Sequence, residues 1–151
     1  MHAKVLDVVE YAEDGMRHRT SKTVHPAWGE IEAAIRRLDR FRFPFLFLWP
    51  TEDAKKHFVD GYCEVFEVMG GEGVYWDAGS FDGYFQRRYL NPEGGKKDIT
   101  VWTSDQGFGA AEKHICRDIE VVLRAARYYA EHGGFDPSVS WESPARRCGP
   151  R

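Results

Sequence analysis

The six histidines, His2, His18, His25, His57, His114 and His132, begin no HxE, HExxH or HxH pattern. Zinc hydrolase and zinc deaminase centres need imidazoles and thiolates at fixed short spacings, so neither signature is present. His114-Ile115-Cys116 places two potential ligands on the same side of a predicted strand. A lone pair of that kind is far more often structural than metal-binding. Its apolar flanks bury Cys116, which argues equally against a thiolate nucleophile. Gly70, Gly71 and Gly73 resemble a phosphate cradle in spacing, but Val74-Tyr75-Trp76 reads as strand and no lysine follows. A phosphate loop needs a helix N-terminus there, so a hairpin turn is the better reading. No GxSxG occurs, and Glu64 and Glu67 are an acid–base pair only if a pocket encloses them. No catalytic residue and no cofactor is expected.

What remains is an excess of rings, 15% of the chain, and an uneven spread of charge. The net charge of −3 is mild. Between residues 52 and 82, however, Lys55 and Lys56 face Glu52, Asp53, Asp60, Glu64, Glu67, Glu72, Asp77 and Asp82. Such a block is either a solvated face or a negative surface that steers a basic partner. It argues against nucleic acid, whose phosphates demand positive charge. From Tyr75 to Phe85 the chain interleaves aromatics with carboxylates among glycines, the composition of a binding surface in which Tyr and Trp act as anchors. The alternative is that Trp76 and Phe81 fold under the loop into the core.

The elements that must carry these residues follow from periodicity. Lys4–Tyr11 and Met16–Val24 predict a hairpin around Glu13-Asp14-Gly15. Pro26 suits a first helical turn, and Trp28, Ile31, Ile35 and Leu38 recur at helical spacing. Phe43–Trp49 is apolar on both parities, as in a central strand covered on each side. Phe58–Val68 reads as a half-exposed strand with a bulge near Gly61, and Gly79–Gly83 as a loop. Tyr84–Leu90 and Asp98–Thr103 read as strands flanking the Asn91–Gly95 turn. A last helix carries Ile119, Val122, Leu123, Ala126, Tyr129 and Ala130 on one stripe, capped by Asp118 and stopped by Gly133-Gly134. The sum is α+β: an antiparallel meander of about six or seven strands with two helices packed on one face. One domain spans 1–142, and 143–151, SPARRCGPR, is expected to be a disordered basic tail. No run reaches the ~20 apolar residues of a membrane span. The N-terminus carries no signal-peptide core, so a cytoplasmic protein is expected. Cys63, Cys116 and Cys148 show no CxxC spacing; the first two read as buried and the last as a tail thiol.

The C-terminal stretch resembles the signature of immunity protein family one of bacterial polymorphic-toxin systems. The residues are Ala125, Ala126, Tyr128, Tyr129, Gly133, Asp136 and Trp141. A docking helix with an aromatic pair leads there through a glycine turn to a closing tryptophan. Looser agreement extends from Val24 to Glu142. The resemblance implies a stoichiometric inhibitor of a cognate toxin domain, often nucleic-acid-directed and including deaminases. Joined to the acidic block, it points to Glu64, Glu67, Glu72, Trp76, Asp77, Asp82, Tyr84 and Asp105 as partner-binding residues on a monomer or weak dimer. One rival is a ligand-binding or enzymatic domain with a pocket between sheet and helices lined by Trp102, Tyr128 and His114. Another is an accessory protein that self-assembles through an apolar sheet edge.

Overall fold

Val5, Val8 and Val9 open a strand whose two faces are both buried, and the rest of the fold is assembled around it. The computed structural model describes residues 1–53, 64–81 and 85–143, with backbone alone for Ser80, Phe81, Phe85 and Gln86. Strand β1 (Val5–Tyr11) pairs with β2 (His18–Val24) through the expected Asp-Gly turn. Helix α1 (Trp28–Arg36) then carries the chain to β3 (Phe45–Trp49), on the other side of β1. Beyond it come β4 (Val65–Gly71), β5 (Val74–Phe81) and β6 (Phe85–Tyr89), and finally β9 (Trp141–Glu142), giving the order β2-β1-β3-β4-β5-β6-β9. Every pairing is antiparallel. Before β9, the chain makes a separate ribbon from β7 (Asp98–Trp102) and β8 (Phe108–Ala111), a short 3-10 turn, and helix α2 (Ile119–His132).

Both helices lie on one face. Their inward residues, Ile31, Ile35, Val122, Ala126 and Tyr129, join Leu6, Val8, Leu46, Leu48, Phe66 and Val68 in the largest core cluster. Phe66 and Tyr129 are fully buried and stack at 5.2 Å and 18°. Burying such a ring contributes about 1.5–3 kcal/mol, so this pair fastens α2 to the centre of the sheet. On the opposite face, β7 and β8 cover Val74, Trp76 and Ala78.

Asp118 caps α2 as expected, accepting the Glu120 N–H at 2.9 Å, and Gly133 (φ 75°) ends it. Pro26 stands outside α1, whose cap is Ala27; Glu30 Oε1 accepts the Ala27 N–H instead. Gly79 and Ser80 are strand rather than loop, because β5 continues to Phe81 against both β4 and β6. His114 lies in the 3-10 turn, not on a strand beside Cys116. Cys116 alone bridges to Tyr75, and it is buried as expected. The Phe58–Cys63 part of the expected strand, Cys63, Cys148 and the tail from 144 onward lie outside the described residues. Among the described residues no helix is long and apolar enough to cross a membrane.

Candidate functional site

At one end of the sheet, four loops are joined by backbone hydrogen bonds. The chain leaving α1 folds around Asp39, whose Oδ1 accepts the N–H groups of Phe41 (3.0 Å) and Phe43 (2.8 Å). Arg40, at φ 72°, donates its N–H to Gly70 O at the end of β4, next to the β4–β5 turn. Its guanidinium reaches Thr100 O (2.7 Å) and Val101 O (3.2 Å) on β7, and Arg40 O accepts from Thr103. In the β7–β8 turn, Asp105 donates its N–H to Gly15 O of the β1–β2 turn, and Tyr11 Oη donates to Asp105 Oδ2 at 3.2 Å. The turns at residues 13–16, 39–43, 71–73 and 103–107 therefore form one connected surface.

Backbone strain concentrates there. Of the non-glycine residues with positive φ, Arg40 (72°), Glu72 (52°) and Asp105 (53°) belong to these loops; His25 is elsewhere. Each such residue costs about 1–2 kcal/mol, a cost that persists only where surrounding bonds hold the conformation. The same end exposes Met16 (60%) and Phe41 (39%), and Glu13, Glu72 and Asp105 are exposed in its turns, as are Arg17 and Arg42, which pair with Asp14 and Glu10. Asp14 is also exposed, but its carboxyl is held at about 2 by the N–H groups of Met16 and Arg17 and by the Arg17 guanidinium. A surface held by these bonds, with exposed aromatic and carboxylate side chains, can bind a basic partner.

Of the residues expected to make this contact, Glu72 and Asp105 are here. Trp76 and Asp77 are not on any surface, being 6% and 1% exposed. Because β5 stays a strand, alternation turns Trp76 under the β7–β8 ribbon, 5.4 Å from Phe108, and Asp77 under the helices. Glu64 faces α2: its Oε2 accepts from Tyr129 Oη at 3.1 Å and pairs with His2 Nε2. Glu67 points to the other face, and burial raises its carboxyl to about 7. Asp82 and Tyr84 lie outside the described residues. The acidic block is thus not one face. Nor do Trp102, Tyr128 and His114 line one pocket. Trp102 packs on Phe45 and Phe108, His114 meets Glu142, and Tyr128 lies against His132 on α2.

Sequence reasoning missed Phe41, Met16 and Arg40. The available signal was Asp39, an Asx-turn former placed just before an aromatic after a helix end. It also passed over the buried carboxyl of Asp7 in β1, and it placed Asp77 on a contact surface although its carboxyl is buried. Among the described residues no other residue hydrogen-bonds either oxygen of Asp77, and burial lifts it to about 7. Close by, burial pushes the Cys116 thiol up to about 11 and the Tyr89 hydroxyl up to about 12, so both are protonated and unreactive at neutral pH. Among the described residues no group of three or more His, Cys, Asp or Glu is placed to hold a metal ion. The chain matches no protein-family model, no curated protein and no solved structure.

Proposed function

We propose that this chain is an immunity protein that binds a cognate toxin domain and occludes it one-to-one in the cytosol of the producing cell. The observation that carries this reading is the connected loop end, a strained surface held by backbone bonds that exposes Phe41 and Met16 together with Glu13, Glu72 and Asp105. A toxin that acts on nucleic acid needs a positive cleft, and fixed carboxylates around an aromatic anchor complement such a cleft. The C-terminal resemblance supports the same reading and points to a nucleic-acid-directed toxin, with deaminases among the candidates.

The test mixes the purified chain with the toxin domain encoded beside it and measures association and dissociation rates. Glu72→Lys combined with Asp105→Asn should slow association about tenfold at low salt, because steering acts on encounter. Asparagine suits the left-handed backbone at 105, so this variant changes charge without adding strain. Phe41→Ala should chiefly speed dissociation. Failure to form a complex at micromolar concentration would refute the function. Unchanged kinetics in these variants would refute the surface.

A further inference from the structure

Three arginines surround an open cavity of about 320 Å³ at the turn end of the β1–β2 hairpin. Glu10, Tyr11, Arg17, His18, Arg19 and Arg42 line it. The register sets two of these neighbours, since Arg19 stands opposite Glu10 and His18 opposite Tyr11. Arg42 arrives from the loop after α1, where its carbonyl accepts the Tyr11 N–H at 2.7 Å. The volume suits a small ligand.

One carboxylate spans two of the guanidiniums. Glu10 Oε1 accepts from Arg19 Nε (3.1 Å) and Nη2 (2.9 Å), and Glu10 Oε2 accepts from Arg42 Nε at 3.1 Å, with Arg42 Nη2 at 3.0 Å. Arg17 Nε donates to Asp14 Oδ2 at 2.8 Å. Among the described residues, Nη1 of all three arginines makes no hydrogen bond. Each guanidinium has five N–H donors in a plane, so donors remain free on every one. Charge does not balance either, because these three arginines meet two carboxylates. A fourth guanidinium, Arg37, shares the Phe43 ring with Arg42, at 4.4 and 6.0 Å from its centroid, and makes no ion pair among the described residues. The local excess is positive in a chain whose net charge is −3.

Forked guanidinium donors match the oxygens of phosphate. Beside them the His18 ring packs on Tyr11 at 5.1 Å, and Tyr11 Oη is fixed by Asp105. Glu13 and Asp105 are exposed in the adjoining turns and repel an extended polyanion. A compact dianion avoids that repulsion.

We infer that this cavity binds a small phosphate monoester, its phosphoryl oxygens taken by Arg17, Arg19 and Arg42 and its organic part set beside the Tyr11–His18 pair. The site borders the loop end and stands whether or not that end binds a toxin.

The full chain is titrated calorimetrically, in a buffer free of phosphate and sulfate, with ribose 5-phosphate and with ribose as the uncharged counterpart. Saturable 1:1 binding of ribose 5-phosphate is expected at millimolar or tighter affinity, weakening as salt is added, with none for ribose. Arg17→Gln, Arg19→Gln and Arg42→Gln should each weaken binding about fivefold or more. All three side chains are exposed, so these variants should still melt cooperatively. Lys22→Gln removes a charge of the same strand β2 outside the cavity, and should change affinity by about twofold or less. Absence of saturable binding by the wild type would overturn the inference. So would equal binding of ribose, or a loss in Lys22→Gln as large as in the arginine variants. Tighter binding of a 5′-phosphorylated oligothymidylate than of ribose 5-phosphate would overturn the assignment to a small ligand.

Discussion

Asp77 shows how much one buried atom group governs. Its carboxyl is enclosed under the helices with no hydrogen bond from another residue among the described ones, and desolvation, opposed only by its own backbone N–H, raises it to about 7 from an ordinary value near 4. Between those two values the folded protein holds a proton that the unfolded chain has lost. Stability therefore falls as pH rises from about 4 to about 7 and levels off above, by an amount on the order of a few kcal/mol. Glu67 adds to the fall over the same window. Asp77→Asn should flatten much of this slope and raise the melting temperature at pH 8 relative to wild type. Melting curves recorded from pH 4.5 to 8 check it, and an unaltered slope would show that Asp77 is hydrated. Asp77→Lys, by contrast, would put an unpaired charge into the core and unfold the protein rather than probe a contact.

Among the elements, the β4–β5 turn and helix α2 carry the sharpest constraints. Gly70 (φ 111°) has Val74 O 1.9 Å from where a Cβ would stand, and Gly71 (φ 138°) has Leu38 O at 2.3 Å. Both neighbours are backbone and cannot move aside. Gly70→Ala should cost more than about 2 kcal/mol, measured by urea unfolding, because steric overlap and strain act together. Gly29, in α1, meets nothing within 4 Å, and Gly29→Ala should stabilise by about 0.5 kcal/mol. In α2, Asp118→Ala removes the cap bond to Glu120 and should cost about 1 kcal/mol. The residues that carry the family resemblance are structural in this fold. Ala125, Ala126 and Tyr129 are buried, Gly133 ends the helix, and Trp141 Nε1 donates to Asp136 O at 3.0 Å beside Phe135. This cassette closes the sheet edge by setting β9 on β6.

Across the whole molecule, a helix-covered face supplies the main core, and the loops at one end carry the proposed contact surface. Phe41 lies outside the core clusters, so Phe41→Ala should shift the melting temperature by only about 1 °C while still weakening partner binding. Comparing the two measurements separates a functional surface from a stabilising one. The outer strand β2 is exposed along nearly its whole length and carries His18, Arg19 and Lys22. Such charges blunt an open edge against pairing with another chain. Arg19→Val with Lys22→Val should therefore promote self-association, detectable by sedimentation.

Local patterning determined much of this. The apolar run on both parities of Phe43–Trp49 marked the central strand, the Ile119–Ala130 stripe marked the docked helix, and Asp118 and Gly133 marked its ends, because these signals depend only on near neighbours in sequence. The α+β class followed from the same signals. Which carboxylates meet solvent did not, since Gly79–Gly83 read as a loop with Trp76 and Asp77 exposed beside it, whereas β6 pairs with β5 and extends that strand beyond Gly79. Nor was the grouping of Arg17, Arg19 and Arg42 legible. It exists only through the pairing of β1 with β2 and the bond from the Tyr11 N–H to Arg42 O, a residue far along the chain. The sheet alone decided which acids were left buried without a partner and which loops met at one end, because pairing register acts between segments that share no local sequence.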